Sequence, residues 1–246
     1  MNVVETVVVV AVLLVVLYLV LRWMFGGSAP LTAQKSGTMR TRIPASKLAN
    51  SNHSSNYAYS IWYYVDDWNY RYGEQKTLID REGERRSGPC PKVYLGAHEN
   101  DVYVEIATYP AHSQDSHEHG LPHGKHNKHV SVVRNFPLQK WVNLTISVYG
   151  RTLDIYLNGK LVQSDVLNGV VRPCDEAPLT VTGGGGFKGW TSYLRYWPHA
   201  LNPQQAYNVY RDGYSGGWGN ILNFFDKFRI KISLVENNRE SGSLEI

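Results

Sequence analysis

Cysteine is nearly absent. Cys90 and Cys174 are the only two in 246 residues, so no disulfide framework holds this chain and its stability must come from a buried core. Both sit beside prolines (Pro89, Pro91, Pro173) and so fall in loops; they read as two reduced thiols, with one bond between them as the alternative. Charge is also scarce. Charged residues make up 19% of the chain and the net charge is +4, a charged fraction below that of a typical soluble domain, and nothing in that balance points to nucleic acid. A phosphate-binding loop is missing too. Gly183, Gly184, Gly185 and Gly186 run into Phe187-Lys188-Gly189-Trp190, without the G-x-x-x-x-G-K-[ST] pattern opening a helix, and read as a bend with close backbone approach. What the chain does have is aromatic weight, 17 Tyr and 7 Trp, which strand-rich folds and sugar-binding surfaces both use.

The stretch over residues 140–162 sets the fold. Val142, Leu144, Ile146 and Val148 alternate with Asn143, Thr145, Ser147 and Tyr149, the period of a strand with one buried face. Gly150-Arg151 supplies a tight turn, Leu153, Ile155 and Leu157 resume the apolar face, and Asn158-Gly159 is a strong two-residue hairpin signal. Burying these seven aliphatic side chains is worth about 10–20 kcal/mol as an upper bound. Further strands are expected over residues 57–65, 76–80, 93–97, 102–108, 130–134 and 179–182. A short helix capped by Asn202, with Pro203 at its first position, should end at Asp212-Gly213.

Trp141 opening a strand, Gly150 at a short turn, and Tyr156, Asn158 and Gly159 in YLNGKLV resemble the laminin G-like branch of the concanavalin A-like jelly rolls. Two further segments agree. The pair YAYSIWYYV and KTLID, with Trp62, is similar to that family's opening strands, and GWTSYLRYWPHALNPQQAYNVYR is similar to its closing strand and helix. The resemblance covers about residues 57–213 and implies an all-β antiparallel jelly-roll sandwich over residues 56–214.

Residues 3–25 are almost wholly apolar, interrupted only by Glu5, Thr6 and Arg22. As a helix they reach about 34 Å, against a hydrocarbon core of about 30 Å. A cleaved signal peptide would carry a basic n-region, and only Glu5 is charged ahead of the run, so an uncleaved transmembrane helix is expected. Arg22, Lys35, Arg40 and Arg42 follow it, which places the large domain on the cytoplasmic side and the N-terminus outside or lumenal. The sequons at Asn52 and Asn143 would then stay unmodified. Residues 26–55, rich in small, polar and basic side chains, read as a flexible tether whose lysines and arginines either touch anionic lipid or are merely solvated.

Three sets of residues are candidate sites. Asp66, Asp67, Trp68, Tyr70 and Tyr72 share one loop and suit stacking and hydrogen bonding to a sugar, or calcium binding; the plainer reading is a surface loop whose rings pack on the sheet edge. Six of the nine histidines fall between His112 and His129. His117, His119 and His123 among them suit a transition metal, without matching a known ligand spacing, and the cluster would titrate near pH 6. Asp80, Glu82 and Glu84 bring three carboxylates to strand spacing. Glucanases of the resembled fold use a compact E-x-D-x-E-like motif, but here its leading Glu is missing, Gly83 breaks the strand, and Arg81, Arg85 and Arg86 neutralise the acids. No catalytic residues are assigned and a non-enzymatic protein is expected.

In the tail, residues 215–246, Ile221, Leu222, Phe224, Phe225 and Phe228 fall on one helical face, and from Phe228 through Ile230, Ile232 and Leu234 the period becomes two. Phe224, Phe225, Phe228, Ile230 and Ile232 are the candidate contacts to a partner or membrane interface. An anchored sandwich with such a tail resembles the membrane-associated minor capsid proteins of large icosahedral DNA viruses. The resemblance implies a virion structural protein whose partners are the lipid bilayer and capsid proteins. The alternative is a membrane-anchored, carbohydrate-binding lectin.

Overall fold

The computed structural model describes residues 30–48, 55–82, 88–109, 127–174, 176–215, 231–236 and 239–245, with Val12, Val15 and Val16. It contains two six-stranded antiparallel sheets. Sheet I runs in the order β1 (Lys35–Ser36), β12 (Lys188–Trp197), β3 (Tyr57–Asp67), β8 (Trp141–Tyr149), β9 (Thr152–Leu157) and β10 (Lys160–Val166). Sheet II runs β2 (Thr41–Ile43), β11 (Leu179–Val181), β4 (Lys76–Glu82), β5 (Pro89–Leu95), β6 (Val102–Thr108) and β7 (Asn127–Val133).

Alternation decides which side chains meet between the sheets. Tyr57, Tyr59, Ile61, Tyr63 and Val65 of β3 join Val142, Leu144, Ile146, Val148, Leu153 and Ile155 in one core with Ile79, Val93, Leu95, Val102, Val104, Ile106 and Val181 of sheet II; Leu157 is only partly buried against it. The Asn158-Gly159 turn forms as expected, with both residues at positive φ (51° and 73°), which matches the twist of the strands it joins.

The polar face of β8 is buried as well. Helix α1 (Pro203–Arg211) packs Val209 onto Ala58 and Leu201, and Ser147 Oγ lies 2.8 Å from the Leu201 N–H and 3.0 Å from its carbonyl. Asn143 and Thr145 share Ser60 Oγ at 2.9 and 3.0 Å. With Asn143 0% exposed, its sequon is inaccessible in the folded domain. The helix is capped reciprocally: the Gln205 N–H donates to Asn202 Oδ1 at 2.8 Å, and the Asn202 N–H donates to Gln205 Oε1 at 2.9 Å.

Residues 35–43 differ from the expected tether. They form a corner that runs from sheet I to sheet II, β1 pairing with Trp190 and Thr191 and β2 with β11. Backbone bonds hold it, Gly37 N–H to Gly189 O at 2.7 Å and Phe187 N–H to Gly37 O at 3.1 Å. The Thr182 hydroxyl adds a bond to Met39 O at 2.6 Å. Strands this short carry no periodicity of their own, because their partners are distant in sequence. The Leu31 N–H also donates to Leu194 O at 2.7 Å.

On the opposite side, Asp165 of β10 reaches toward β7. It accepts from Ser131, from Gln163 at 2.9 Å, and lies 3.4 Å from His129 Nε2. Burial pushes the Asp165 carboxyl up, but the hydrogen bonds from Ser131, Gln163 and His129 outweigh it and hold it below its ordinary value.

Residues 215–246 fall in a separate unit. There β13 (Lys231–Glu236) and β14 (Arg239–Glu245) form an antiparallel hairpin with Ile232 opposite Leu244, which continues the period-two pattern read from the sequence. The expected helical face over residues 221–228, with Phe224, Phe225 and Phe228, lies outside the described residues, as does Ile230. So do the apolar run of residues 3–25, apart from Val12, Val15 and Val16, and the histidine-rich residues 110–126 with His117, His119 and His123. Among the described residues no helix is long and apolar enough to cross a membrane.

Candidate functional site

The loop of residues 66–72 does not gather its acids and rings around a common point. Asp67 Oδ1 accepts the Asn69 N–H at 2.9 Å, a local turn, and its other oxygen faces Lys188 Nζ at 3.4 Å. Trp68 sits edge-on to Phe136 (centroids 5.9 Å apart), donates its indole N–H to His98 O at 3.1 Å, and lies under Lys76 Nζ at 4.4 Å. The Tyr70 hydroxyl donates to Gly185 O at 3.4 Å, and Arg71 bridges Glu74 and the Gly184 carbonyl. Burial, with Arg71 nearby, lowers the Lys76 pKa against the opposing pull of Glu74. The loop's chemistry is therefore taken up in joining three connections at one end of the sandwich. Asp66 is the next-to-last residue of β3, where its backbone carbonyl accepts from Gln139 at 3.4 Å. Tyr72 alone of the loop's tyrosines is well exposed, at 60%, leaning on His98. Among the described residues no group of three or more His, Cys, Asp or Glu is placed to hold a metal ion.

The outer face of sheet I carries a different arrangement. Trp190 of β12, Tyr64 of β3 and Trp141 of β8 occupy directly paired positions on three adjacent strands. Their rings form a row, with centroids 5.5 Å apart between Trp190 and Tyr64 and 5.8 Å between Tyr64 and Trp141. The row spans two strand spacings, ~9.6 Å. Tyr214 stacks on Trp141 at 4.6 Å with an interplanar angle of 6°. Beside the row, Trp62 stacks on Tyr210 at 5.6 Å and meets Tyr214 edge-on at 6.0 Å. Trp190 and Tyr214 are 40% and 39% exposed, and the buried indole N–H of Trp62 has no acceptor among the described residues.

Three devices hold the row together. Gly189 lets β12 approach β3, since a Cβ there would lie 1.9 Å from the Tyr64 carbonyl oxygen. The ion pair between buried Arg195 and Asp212, at 2.8 Å, fixes the chain as it leaves α1. Ser192 Oγ then donates to Tyr214 O at 2.7 Å and brings that ring back onto the sheet. The result is a fixed set of π faces and indole edges, suited to stacking against a sugar ring or burying a partner's apolar side chains. Sequence reading used Trp62 and Trp141 as marks of the fold and missed them as a surface. The available signal was the alternation Ala58, Ser60, Trp62, Tyr64, which puts two large rings on the face away from the core.

The outer face of sheet II is charged. Asp80, Lys92 and Glu105 pair across β4, β5 and β6, Lys128 bonds Glu105 at 2.6 Å, and Tyr94 and Tyr103 stack at 5.1 Å beside them. Burial, and then Glu105, raise the Tyr94 hydroxyl pKa.

Comparison with solved structures returns the same sandwich. The ligand-binding domain of botulinum neurotoxin serotype D, in complex with N-acetylneuraminic acid, matches 75% of this chain and 43% of its own, with a TM-score of 0.53 and 14% identity. The receptor-binding domain of botulinum neurotoxin D matches 75% of this chain and 45% of its own, at TM-score 0.52 and 14% identity. The HCR/D F1240A mutant matches 72% and 42%, at 0.51 and 16%. This chain thus spans less than half the length of those structures, and the likeness is one of fold. No curated protein matches the sequence. A family model matches residues 36–206, from β1 into α1 and across both sheets, and by that match the chain belongs to the concanavalin A-like lectin/glucanases superfamily.

Proposed function

We propose that this protein is a non-enzymatic recognition module, held at a membrane by residues 3–25, whose sandwich docks onto other proteins through the outer face of sheet I. The aromatic row of Trp190, Tyr64 and Trp141, with Trp190 40% exposed and the other two half-buried, carries this reading. Trp and Tyr are enriched in the cores of protein interfaces because they bury a large area for little lost side-chain freedom. A row already locked by cross-strand pairing avoids most of the ordering cost of binding. The apolar length of residues 3–25 and the basic residues that follow favour a single-pass anchor with the sandwich on the cytoplasmic side. The setting we propose is a virion, where a minor capsid protein of this design ties an internal membrane to the surrounding shell. Protease protection of the full chain on microsomes, with glycosylation at Asn52 as a second readout, tests the orientation. A digestible, unglycosylated domain is expected; a protected, glycosylated one contradicts the membrane-to-shell role.

The same row favours a second reading, a lectin. Flat indole and phenol faces about two strands apart suit the C–H faces of neighbouring sugar units, and a protein of similar fold has been crystallised with N-acetylneuraminic acid. A glycan array on the full chain separates the two readings. Binding lost in Trp190→Ala favours the lectin, and uniform silence favours protein docking.

A further inference from the structure

The two cysteines, far apart in sequence, meet inside the sandwich. Cys90 lies in β5, not in the loop its flanking prolines predict, and Cys174 lies in the connection between β10 and β11. The Cys90 thiol donates to the Arg172 carbonyl at 3.1 Å, and the Cys174 thiol approaches the same oxygen at 3.9 Å. Cys90 is 2% exposed and Cys174 7%. The buried Tyr57 hydroxyl lies within electrostatic reach of both thiols and of Arg81. The Arg81 guanidinium is itself buried, donating to Tyr59 Oη at 2.8 Å and to Ala177 O at 3.1 Å.

We propose that Cys90 and Cys174 are a redox-active dithiol that closes to an intramolecular disulfide on meeting a small-molecule disulfide such as oxidised glutathione. Two side chains converging on one carbonyl oxygen do not have to pass a strand to reach each other. Cys90 lies within β5, at the irregularity between the pairs Glu82–Pro89 and Asp80–Lys92, whereas Cys174 follows Arg172 and Pro173 outside any strand, so it can adjust without breaking sheet pairing. Cys174, the more exposed, attacks first. Its thiolate displaces one glutathione thiol and leaves a mixed disulfide. The Cys90 thiolate then attacks the Cys174 sulfur and displaces the second glutathione thiol. Two electrons and two protons pass from the cysteine pair to glutathione, and one sulfur–sulfur bond forms for the one consumed. In a reducing cytosol the pair stays open, and it closes on transfer to an oxidising milieu. This holds whichever partner the aromatic face takes.

The test treats the purified full chain with oxidised glutathione, unfolds it, alkylates it and measures its intact mass. Closure predicts a loss of about 2 Da and no alkylation. It also predicts a rise in Tm of about 10 °C over the reduced protein, because the bond closes a long loop. Cys90→Ser should stop at a glutathione adduct on Cys174, and Cys174→Ser should show no change. Two alkylatable cysteines in the treated wild type overturn the proposal, as does a persistent glutathione adduct or a disulfide-linked dimer. The wild-type measurement stands whether or not either variant folds.

Discussion

The two sheets have equal strand number and share one core, yet their outer faces are opposites. Sheet I turns outward Trp62, Tyr64, Trp141 and Trp190, part covered by α1 and part open, while sheet II turns outward Asp80, Lys92 and Glu105. A ladder fixes which positions face out and says nothing of what stands there, so the difference reflects what each face must meet. Aromatic rings gain when a partner removes them from water. Paired charges such as Lys128 and Glu105 are already satisfied and would have to be desolvated. The faces therefore separate into one suited to contact and one suited to water.

The largest expected effect lies under the covered half of sheet I. Trp62→Ala removes a buried ring stacked on Tyr210 and should destabilise the domain by about 3–5 kcal/mol in urea unfolding. Trp190→Ala, on the open half of the same face, should reverse the pattern. Affinity for the partner should fall by about tenfold or more, with stability changed by less than ~1 kcal/mol. If Trp190→Ala instead unfolds the domain, the row is core rather than contact surface.

Asp165 joins the edges of the two sheets and gives a pH test. Its pKa is lower folded than unfolded, so its contribution is fully present above the unfolded value of about 4 and is lost as the pH falls through the folded value. Urea midpoints of the wild type should drop more between about pH 5 and pH 3 than those of Asp165→Asn; parallel curves would show that the latch between β7 and β10 carries no such linkage. The smallest effect belongs to sheet II. Lys128→Ala breaks a pair whose lysine is half exposed and should cost at most about 1 kcal/mol, with partner affinity unchanged. A loss of affinity there as large as that of Trp190→Ala would erase the distinction between the faces.

Much of the fold was legible because it is local. The alternation from Val142 to Leu157, the Asn158-Gly159 turn and the Asn202 cap each specify their element within a few residues. The corner of residues 35–43 was not, since its two short strands exist only through hydrogen bonds to β12 and β11. The site was harder still. Residues 66–72 look like a binding loop because acids and rings stand together in sequence, but their partners, Lys188, His98, Gly184 and Gly185, are distant in the chain and become visible only once it has folded. The aromatic row is the converse case, unremarkable in sequence because Tyr64, Trp141, Trp190 and Tyr214 come from four separate segments.

The most direct test of the aromatic face as the contact surface places a photo-crosslinking residue at Trp190, and in a second variant at Lys92, in the full chain assembled at its membrane. Adducts with one discrete protein partner at position 190 and none at position 92 are expected. Adducts confined to position 92, or equal at both, would contradict the account.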